Sequence, residues 1–190
     1  MVARMSERKA ASPRWYRARG FVIAMIYLVG FALGPLLSAP FGLAHMRTFA
    51  WIGLRAGTHG PAWVFAFATV CLYLCFALRA WGSAYLSAAI VWDASVRTQA
   101  LVVDGPFRFV RNPLYLGNLF MALGFALIAT PAGAAVILIA NAVFMARLSR
   151  YESQEMQAQF GSLYETYARS VPALVPRLTS RGWRWLQCRA

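Results

Sequence analysis

Apolar residues run through this chain in long uncharged stretches that are separated by short polar segments. Four such stretches, at 21–39, 62–78, 114–130 and 132–146, contain no Asp, Glu, Lys or Arg. A helix needs about 20 residues to cross the roughly 30 Å hydrocarbon core of a bilayer. The pattern therefore predicts an all-α, polytopic membrane helical bundle with about four spans.

Pro131 divides the last two stretches. Proline lacks a backbone N–H and its ring clashes with the preceding turn, so the two flanking stretches are predicted to be separate helices. With almost no loop between them, these helices form an antiparallel hairpin. Such a hairpin returns Glu152 to the membrane face on which Asn112 begins the first helix of the pair.

The composition agrees with a membrane location. Hydrophobic residues make up 60% of the chain and charged residues 13%, whereas soluble domains contain about 25% charged residues. The net charge of +13 comes from 19 Lys+Arg against 6 Asp+Glu. These basic residues flank the apolar stretches and form no long basic stripe, which argues against a nucleic-acid partner and for contact with membrane lipids.

The basic residues also predict an orientation in the membrane. With about four spans, the basic N-terminal segment and the C-terminal tail lie on one side, and only Arg47 and Arg55 lie on the other. By the positive-inside rule, both termini are predicted to be cytoplasmic, in an inner or plasma membrane, together with any site on that side of the bundle. The apolar segment 41–54 is short and contains His45 and Arg47, so it is predicted to be re-entrant or interfacial.

Three regions follow from this organisation. Residues 1–78 hold the basic N-terminal segment and the first two spans, 79–177 hold the core with the helical hairpin, and 178–190 form a basic and aromatic tail suited to the membrane interface. No spacing of cysteine and histidine resembles a zinc site, so no metal is predicted.

The segment 101–117 carries the first cluster of chemically informative residues. Asp-Gly-Pro at 104–106 indicates a turn. Asn112 before Pro113 indicates the start of a helix, with asparagine as the N-cap and proline in the first helical position. Arg111 precedes that helix N-terminus, where free N–H groups already favour an anion. The alternative for this arginine is contact with lipid headgroups.

A second cluster follows the hairpin, at 147–155. Arg147 and Arg150 precede Glu152 there, and Tyr115 brings a hydroxyl group into the membrane near the first cluster. Because the hairpin is antiparallel, a carboxylate, arginines and a tyrosine are expected to lie together at the end of the hairpin opposite its turn. The alternative for this segment is a solvated amphipathic helix.

Several short motifs occur in a fixed order in the C-terminal half of the chain. They are Gly-Pro-Phe-Arg-Phe-Val-Arg-Asn-Pro-Leu-Tyr-Leu-Gly at 105–117, the apolar hairpin, Glu152, Phe-Gly-x-x-Tyr-x-x-Tyr at 160–167 and Val-Pro at 171–172. This order resembles the isoprenylcysteine carboxyl methyltransferase family, and the related phospholipid methyltransferases share it. The likeness covers 79–176, roughly half of the chain.

The resemblance implies an integral membrane methyltransferase that uses S-adenosylmethionine and has a cytoplasmic, C-terminal helical cofactor-binding region. An arginine before Glu152 would bind the substrate carboxylate, so Arg147 and Arg150 are candidate catalytic residues, and Arg111 is a further one. The positions that match the cofactor-binding residues of the family, or would lie along the cofactor, are Gln99, Ala100, Leu101, Val102, Phe107, Asn112, Pro113, Leu114, Tyr115 and Glu152.

Two positions depart from the pattern of the family. Asn112 stands where the family has a histidine, and Ser153 stands where it has a second acidic residue, unless the register shifts by one residue to Tyr151. Asparagine still forms hydrogen bonds and caps a helix, but it does not titrate near neutral pH as histidine does. A site without that base is suited to an acceptor that arrives as an anion.

The sequence therefore predicts O- or S-methylation of a lipophilic carboxylate or thiol, carried by a small molecule or by a lipidated substrate. Phospholipid N-methylation is one alternative. A membrane enzyme similar to sterol reductases, which would use NADPH, is another, because those enzymes have a similar C-terminal element. A non-enzymatic membrane scaffold is the last.

Overall fold

The protein is built from α-helices. In the computed structural model, residues 13–43, 46–53, 55, 57–92 and 101–177 are described. The helices are α1 (Arg14–Arg17), α2 (Arg19–Ser38), α3 (Thr48–Gly53), α4 (Gly60–Trp92), α5 (Pro113–Ile128), α6 (Pro131–Phe160) and α7 (Ser162–Ser170). Two short 3-10 helices lie at Ala39–Phe41 and Gly105–Arg108. These ranges contain no strand, so the predicted all-α class is confirmed.

Three helical segments are long and apolar enough to cross a bilayer: Arg19–Phe41, Gly60–Leu86 and Pro131–Phe160. The chain is an integral membrane protein. Helix α5 is also apolar but has 16 residues, fewer than the about 20 that span a bilayer. The first, second and fourth predicted stretches lie in the long helices and the third coincides with α5, so a total of four spans stays a prediction.

Helix α4 continues beyond the apolar stretch 62–78, through Arg79 to Trp92. The added residues contain no proline and several alanines, which favour a helix. Nη1 of Arg79 donates a hydrogen bond to Oδ1 of buried Asn118 over 2.7 Å, and Nδ2 of Asn118 contacts Sδ of Met145 over 3.6 Å. These contacts join α4, α5 and α6 and satisfy an amide placed among apolar residues.

The segment 41–54 contains α3, which has six residues and is too short to cross a bilayer. Thr48 attaches this helix to the turn between α5 and α6. Its backbone N–H and its hydroxyl both donate to the carbonyl oxygen of Ala129, over 2.8 and 2.9 Å. The segment is therefore held against the hairpin.

Helices α5 and α6 form the predicted hairpin. Only Ala129 and Thr130 separate them, and Pro131 occupies the first turn of α6. Helix α4 packs against the outer side of α5, and α2 packs against α6. This order places the hairpin in the middle of the bundle and brings the end of α6 beside the start of α5.

Glycines bring α2 and α6 into close contact. A Cβ added at Gly30 would lie 2.4 Å from the side chain of Ile137, and one added at Gly34 would lie 2.6 Å from the hydroxyl of Thr130. A Cβ added at Gly133 would lie 2.4 Å from the backbone oxygen of Gly30. Small residues allow such approach of helix backbones in membranes.

We expect Gly133→Ala to lower the free energy of unfolding by about 1–3 kcal/mol, the cost typical of overpacking. The clash is with a backbone atom, so the two helices must move apart. The matched control is Gly20→Ala in α2, since a Cβ there meets nothing within 4 Å. Thermal unfolding in detergent measures both variants, and equal melting temperatures would contradict this account of the α2–α6 contact.

The C-terminal region folds back against the segment that leads into α5. Tyr164, Tyr167 and Val171 form a buried cluster, against which Leu101 packs. The hydroxyl of Tyr167 donates to the carbonyl of Phe107 over 2.7 Å. Three backbone hydrogen bonds join residues 109–112 to residues 172–177. Residues 101–112 are thereby fixed between α7 and the start of α5.

Candidate functional site

Glu152 is the carboxylate at the centre of the candidate site. It lies near the end of α6, is half-buried, and accepts a hydrogen bond on Oε1 from the hydroxyl of Tyr115 at the start of α5. The hydroxyl of Tyr16, in α1, donates to the same oxygen over 2.5 Å. The hairpin therefore brings Glu152 beside the start of α5, as its geometry predicts.

Asn112 holds the start of α5 against two neighbouring segments. It occupies the N-cap position and Pro113 follows in the first turn, as predicted, but the Asn112 side chain does not cap the helix. Instead, Nδ2 donates to Oγ of Ser149 over 2.9 Å and to the carbonyl of Ala173 over 3.1 Å. The expected capping role of Asn112 is wrong, because its amide is turned toward α6.

Arg111 is a cation inside the same site. Its Nη1 donates to the hydroxyl of Tyr164 over 3.0 Å and to Oγ of Ser153 over 3.4 Å. Its Nε is buried and has no hydrogen-bond partner among the residues that the structure describes. No carboxylate in the described ranges forms an ion pair with this guanidinium. A buried donor normally has a partner, so Nε is a donor that an additional acceptor could satisfy.

Together, Tyr16, Arg111, Asn112, Tyr115 and Glu152 form what we call the polar cup. All five contact α6 or belong to it, on the face that carries Ser149, Glu152 and Ser153. The cup contains a carboxylate, a guanidinium, an amide and two hydroxyls at one end of the bundle. Such a set can bind a ligand that carries charges of both signs.

The other candidate cofactor residues that the structure describes lie in the segment before α5 and in the first turn of α5. Phe107 is buried, and Leu101 and Val102 are half-buried in the same preceding segment. Leu114 faces α4, where its side chain lies against Gly82. Pro113 is buried at the first turn of α5. Gln99 and Ala100 lie outside the described residues.

Arg147 and Arg150 are not brought to Glu152. Arg147 precedes Glu152 by five positions, which places it about 140° around the helix. Both arginines are exposed and line a groove of about 580 Å³ together with Trp15 and Tyr151. The guanidinium of Arg147 lies 5.1 Å from the ring centroid of Trp15. Their binding of a substrate carboxylate stays a prediction.

The N-terminal segment contributes residues that sequence reasoning missed. Tyr16 reaches Glu152, and the ring centroids of Tyr16 and Trp15 lie 4.8 and 5.3 Å from that of Tyr151. Trp and Tyr beside basic residues before a first span are typical of the aromatic belt at a membrane interface. That pattern contains no signal for a contact with residues 151–152.

Tyrosine hydroxyls remain donors around this site. Burial raises the pKa of Tyr16, and its hydrogen bond to Glu152 raises it further. Burial likewise raises the pKa of Tyr167, which bonds the carbonyl of Phe107. Both side chains are therefore protonated at neutral pH and can donate to a carboxylate or a carbonyl oxygen.

An apolar helical bundle that carries the polar cup at one end defines a helical integral membrane protein. The chain belongs to the phospholipid methyltransferase family, whose family model matches residues 63–162. This match includes Arg111, Asn112, Tyr115 and Glu152 but not Tyr16. The resemblance to membrane methyltransferases stated from the sequence is confirmed.

Two curated relatives match part of the chain. The chain is 33% identical over 134 residues, 70% of its length and 48% of the relative's, to methanethiol S-methyltransferase 2 of Bradyrhizobium diazoefficiens. It is 33% identical over 102 residues, 53% of its length and 44% of the relative's, to the cobalt-zinc-cadmium resistance protein CzcN of Cupriavidus metallidurans. The chain thus spans about half the length of these curated relatives. No solved structure matches it.

Proposed function

We propose that this protein is an S-adenosylmethionine-dependent methyltransferase that methylates a lipophilic thiol or carboxylate. The observation that carries this proposal is the polar cup, in which Arg111, from the segment before α5, contacts α6 at Ser153, next to Glu152. Both residues lie within the family-matched region. The similarity to a methanethiol S-methyltransferase supports a thiol as the acceptor.

The residues of the cup fit the methyl donor. S-adenosylmethionine carries a carboxylate, an ammonium group and ribose hydroxyls. Arg111 would hold the carboxylate, because its Nε is a buried donor without a partner. Glu152 would hold a cationic or hydroxyl-bearing part, because both tyrosines bond Oε1 and neither uses Oε2. Phe107 and the segment before it would offer an apolar surface.

The chain supplies binding, orientation and exclusion of water. When bound, the donor offers a methyl group on a sulfonium, and the sulfonium leaves as a neutral thioether when a nucleophile takes the methyl group in line. Buried residues of α5 and α6 surround the cup and limit the access of water. Tyr16 and Tyr115 hold the carboxylate of Glu152 in place.

The cup favours an anionic acceptor. Asn112 occupies the position of the family's histidine and donates to Ser149 and Ala173, so it removes no proton. A thiolate or carboxylate needs no base, whereas an amine, whose ammonium form has a pKa of about 10.4, must first lose a proton. Phospholipid N-methylation is the second candidate, because the matching family model is described as phospholipid methyltransferase.

The orientation of the chain is also a proposal. Tyr16 of α1 touches residue 152, so the basic N-terminal segment and the polar cup lie on the same side of the bundle. Arg14, Arg17 and Arg19 are on that side. By the positive-inside rule this side faces the cytoplasm. We propose that substrates reach the cup from the cytoplasmic leaflet.

Purified protein in detergent, incubated with isotopically labelled S-adenosylmethionine, tests the proposed function. We expect label in alkyl thiols or prenylcysteine analogues, and binding of S-adenosylhomocysteine but not NADPH in a parallel titration. Efficient labelling of phosphatidylethanolamine, with no label in the thiols or carboxylates, would show that the methyl acceptor is an amine and not an anion. Binding of NADPH alone, or of neither ligand, would refute the proposed S-adenosylmethionine-dependent activity.

A further inference from the structure

The first helix, α1, lies before the first membrane span and outside the family-matched residues 63–162, yet it reaches the polar cup. Its Tyr16 contacts Glu152, a residue 136 positions away in the chain. The matched region alone therefore leaves Glu152 with one tyrosine donor, and α1 adds the second.

We propose that Tyr16 is a positioning residue, which together with Tyr115 holds the carboxylate of Glu152 in the orientation that binds the methyl donor. This inference rests on the proposed function and adds a residue from outside the family-matched region to its site. By this account, α1 forms one wall of the polar cup.

Several contacts keep α1 in this place. Trp15 and Tyr16 pack with the buried cluster of Tyr115, Met145 and Leu148. The ring of Trp15 is 5.3 Å from Tyr151 at an interplanar angle of 71°, an edge-to-face arrangement that aromatic pairs prefer. The guanidinium carbon of Arg147 also lies over the ring of Trp15, 5.1 Å from its centroid. These interactions fix α1 against α6, and they therefore also fix the direction in which the Tyr16 hydroxyl points.

The two tyrosine bonds have a specific consequence for Glu152. A glutamate side chain has three rotatable bonds, and its terminal torsion is broad. Donors from α1 and from α5 that meet on Oε1 restrict this freedom from two directions. Oε2 is then left to face a ligand. Loss of either donor lets the carboxylate turn, which lowers the fraction of molecules in the binding orientation.

The test is Tyr16→Phe in the full chain, with binding of S-adenosylhomocysteine followed by isothermal titration calorimetry. One hydrogen bond to a charged group is removed, and we expect the dissociation constant to rise by about 10-fold. In turnover assays, KM for S-adenosylmethionine should rise by a similar factor while kcat changes by less than about 2-fold, since the interaction acts on binding.

The control is Tyr73→Phe, which removes one hydroxyl from a tyrosine of α4 that is 68% exposed. We expect this variant to bind like the wild type. The double variant Tyr16→Phe/Tyr115→Phe tests whether both hydroxyls act through Glu152. Residues that share one partner give effects that do not multiply, whereas independent effects do.

The outcomes separate the two proposals. If the wild type binds S-adenosylhomocysteine and Tyr16→Phe binds it equally well, Tyr16 has no positioning role and the proposed function stands. Effects of Tyr16→Phe and Tyr115→Phe that multiply would also overturn the positioning role. If the wild type itself does not bind, both proposals fall.

Discussion

Replacement of Glu152 by glutamine should lower the affinity for S-adenosylhomocysteine by about 100-fold, equivalent to about 2.8 kcal/mol. The substitution removes the only charge that Glu152 contributes and keeps the shape of the side chain. The hydroxyls of Tyr16 and Tyr115 can still donate to the amide oxygen, so the helices should remain folded. Isothermal titration calorimetry measures the loss, and thermal unfolding verifies the fold.

The matched control is Glu155→Gln, three positions later on α6. Glu155 is exposed, whereas Glu152 is half-buried and bonded by two tyrosines. Removal of an exposed charge outside the cup should change the affinity by less than about 2-fold, because surface charges contribute about 0–1 kcal/mol. If Glu152→Gln binds as tightly as Glu155→Gln, Glu152 is not part of the donor site.

The hydropathy pattern predicted the bundle because membrane helices are specified by local composition. Helices α2, α4 and α6 match three of the four predicted apolar stretches, α5 matches the fourth, and Pro131 separates α5 from α6. Because the turn between them is short, the two helices of the hairpin can only lie antiparallel. The sequence therefore predicted that Glu152 would lie near the start of α5, where Tyr115 is found. The position of the proline and the antiparallel hairpin were sufficient to place the end of α6 at the same end of the bundle as the start of α5.

The rotation of α6 and the place of α1 depend on information that a local pattern does not hold. The sequence left open whether Ser153 or Tyr151 takes the second acidic position of the family beside Glu152. In the structure Tyr151 meets the rings of α1. Ser153 instead faces Arg111, and Glu152 faces α5. The same rotation turns Arg147 away from the cup. Contact between α1 and α6 depends on how α2 packs on α6, through Gly30 and Gly133.

Replacement of Arg111 by alanine should raise KM for S-adenosylmethionine by about 50-fold, equivalent to about 2.3 kcal/mol. The guanidinium bonds Tyr164 and Ser153 through Nη1 and leaves a buried Nε donor for the carboxylate of the methyl donor. Arg111→Lys should recover only part of the affinity, because lysine keeps the charge and loses the planar fork. Initial-rate assays at varied donor concentration measure both.

The role of Arg111 can be separated from a general loss of packing by the choice of ligand. Decarboxylated S-adenosylmethionine lacks the carboxylate, so Arg111→Ala should weaken its binding by less than about 3-fold if the guanidinium recognises that group. Arg169→Ala is the control, since Arg169 is exposed and its ion pair is with Glu165 one turn away, an interaction worth about 0–1 kcal/mol. An equal loss of affinity for both donors would show that Arg111 supports the fold of the cup and does not contact the carboxylate.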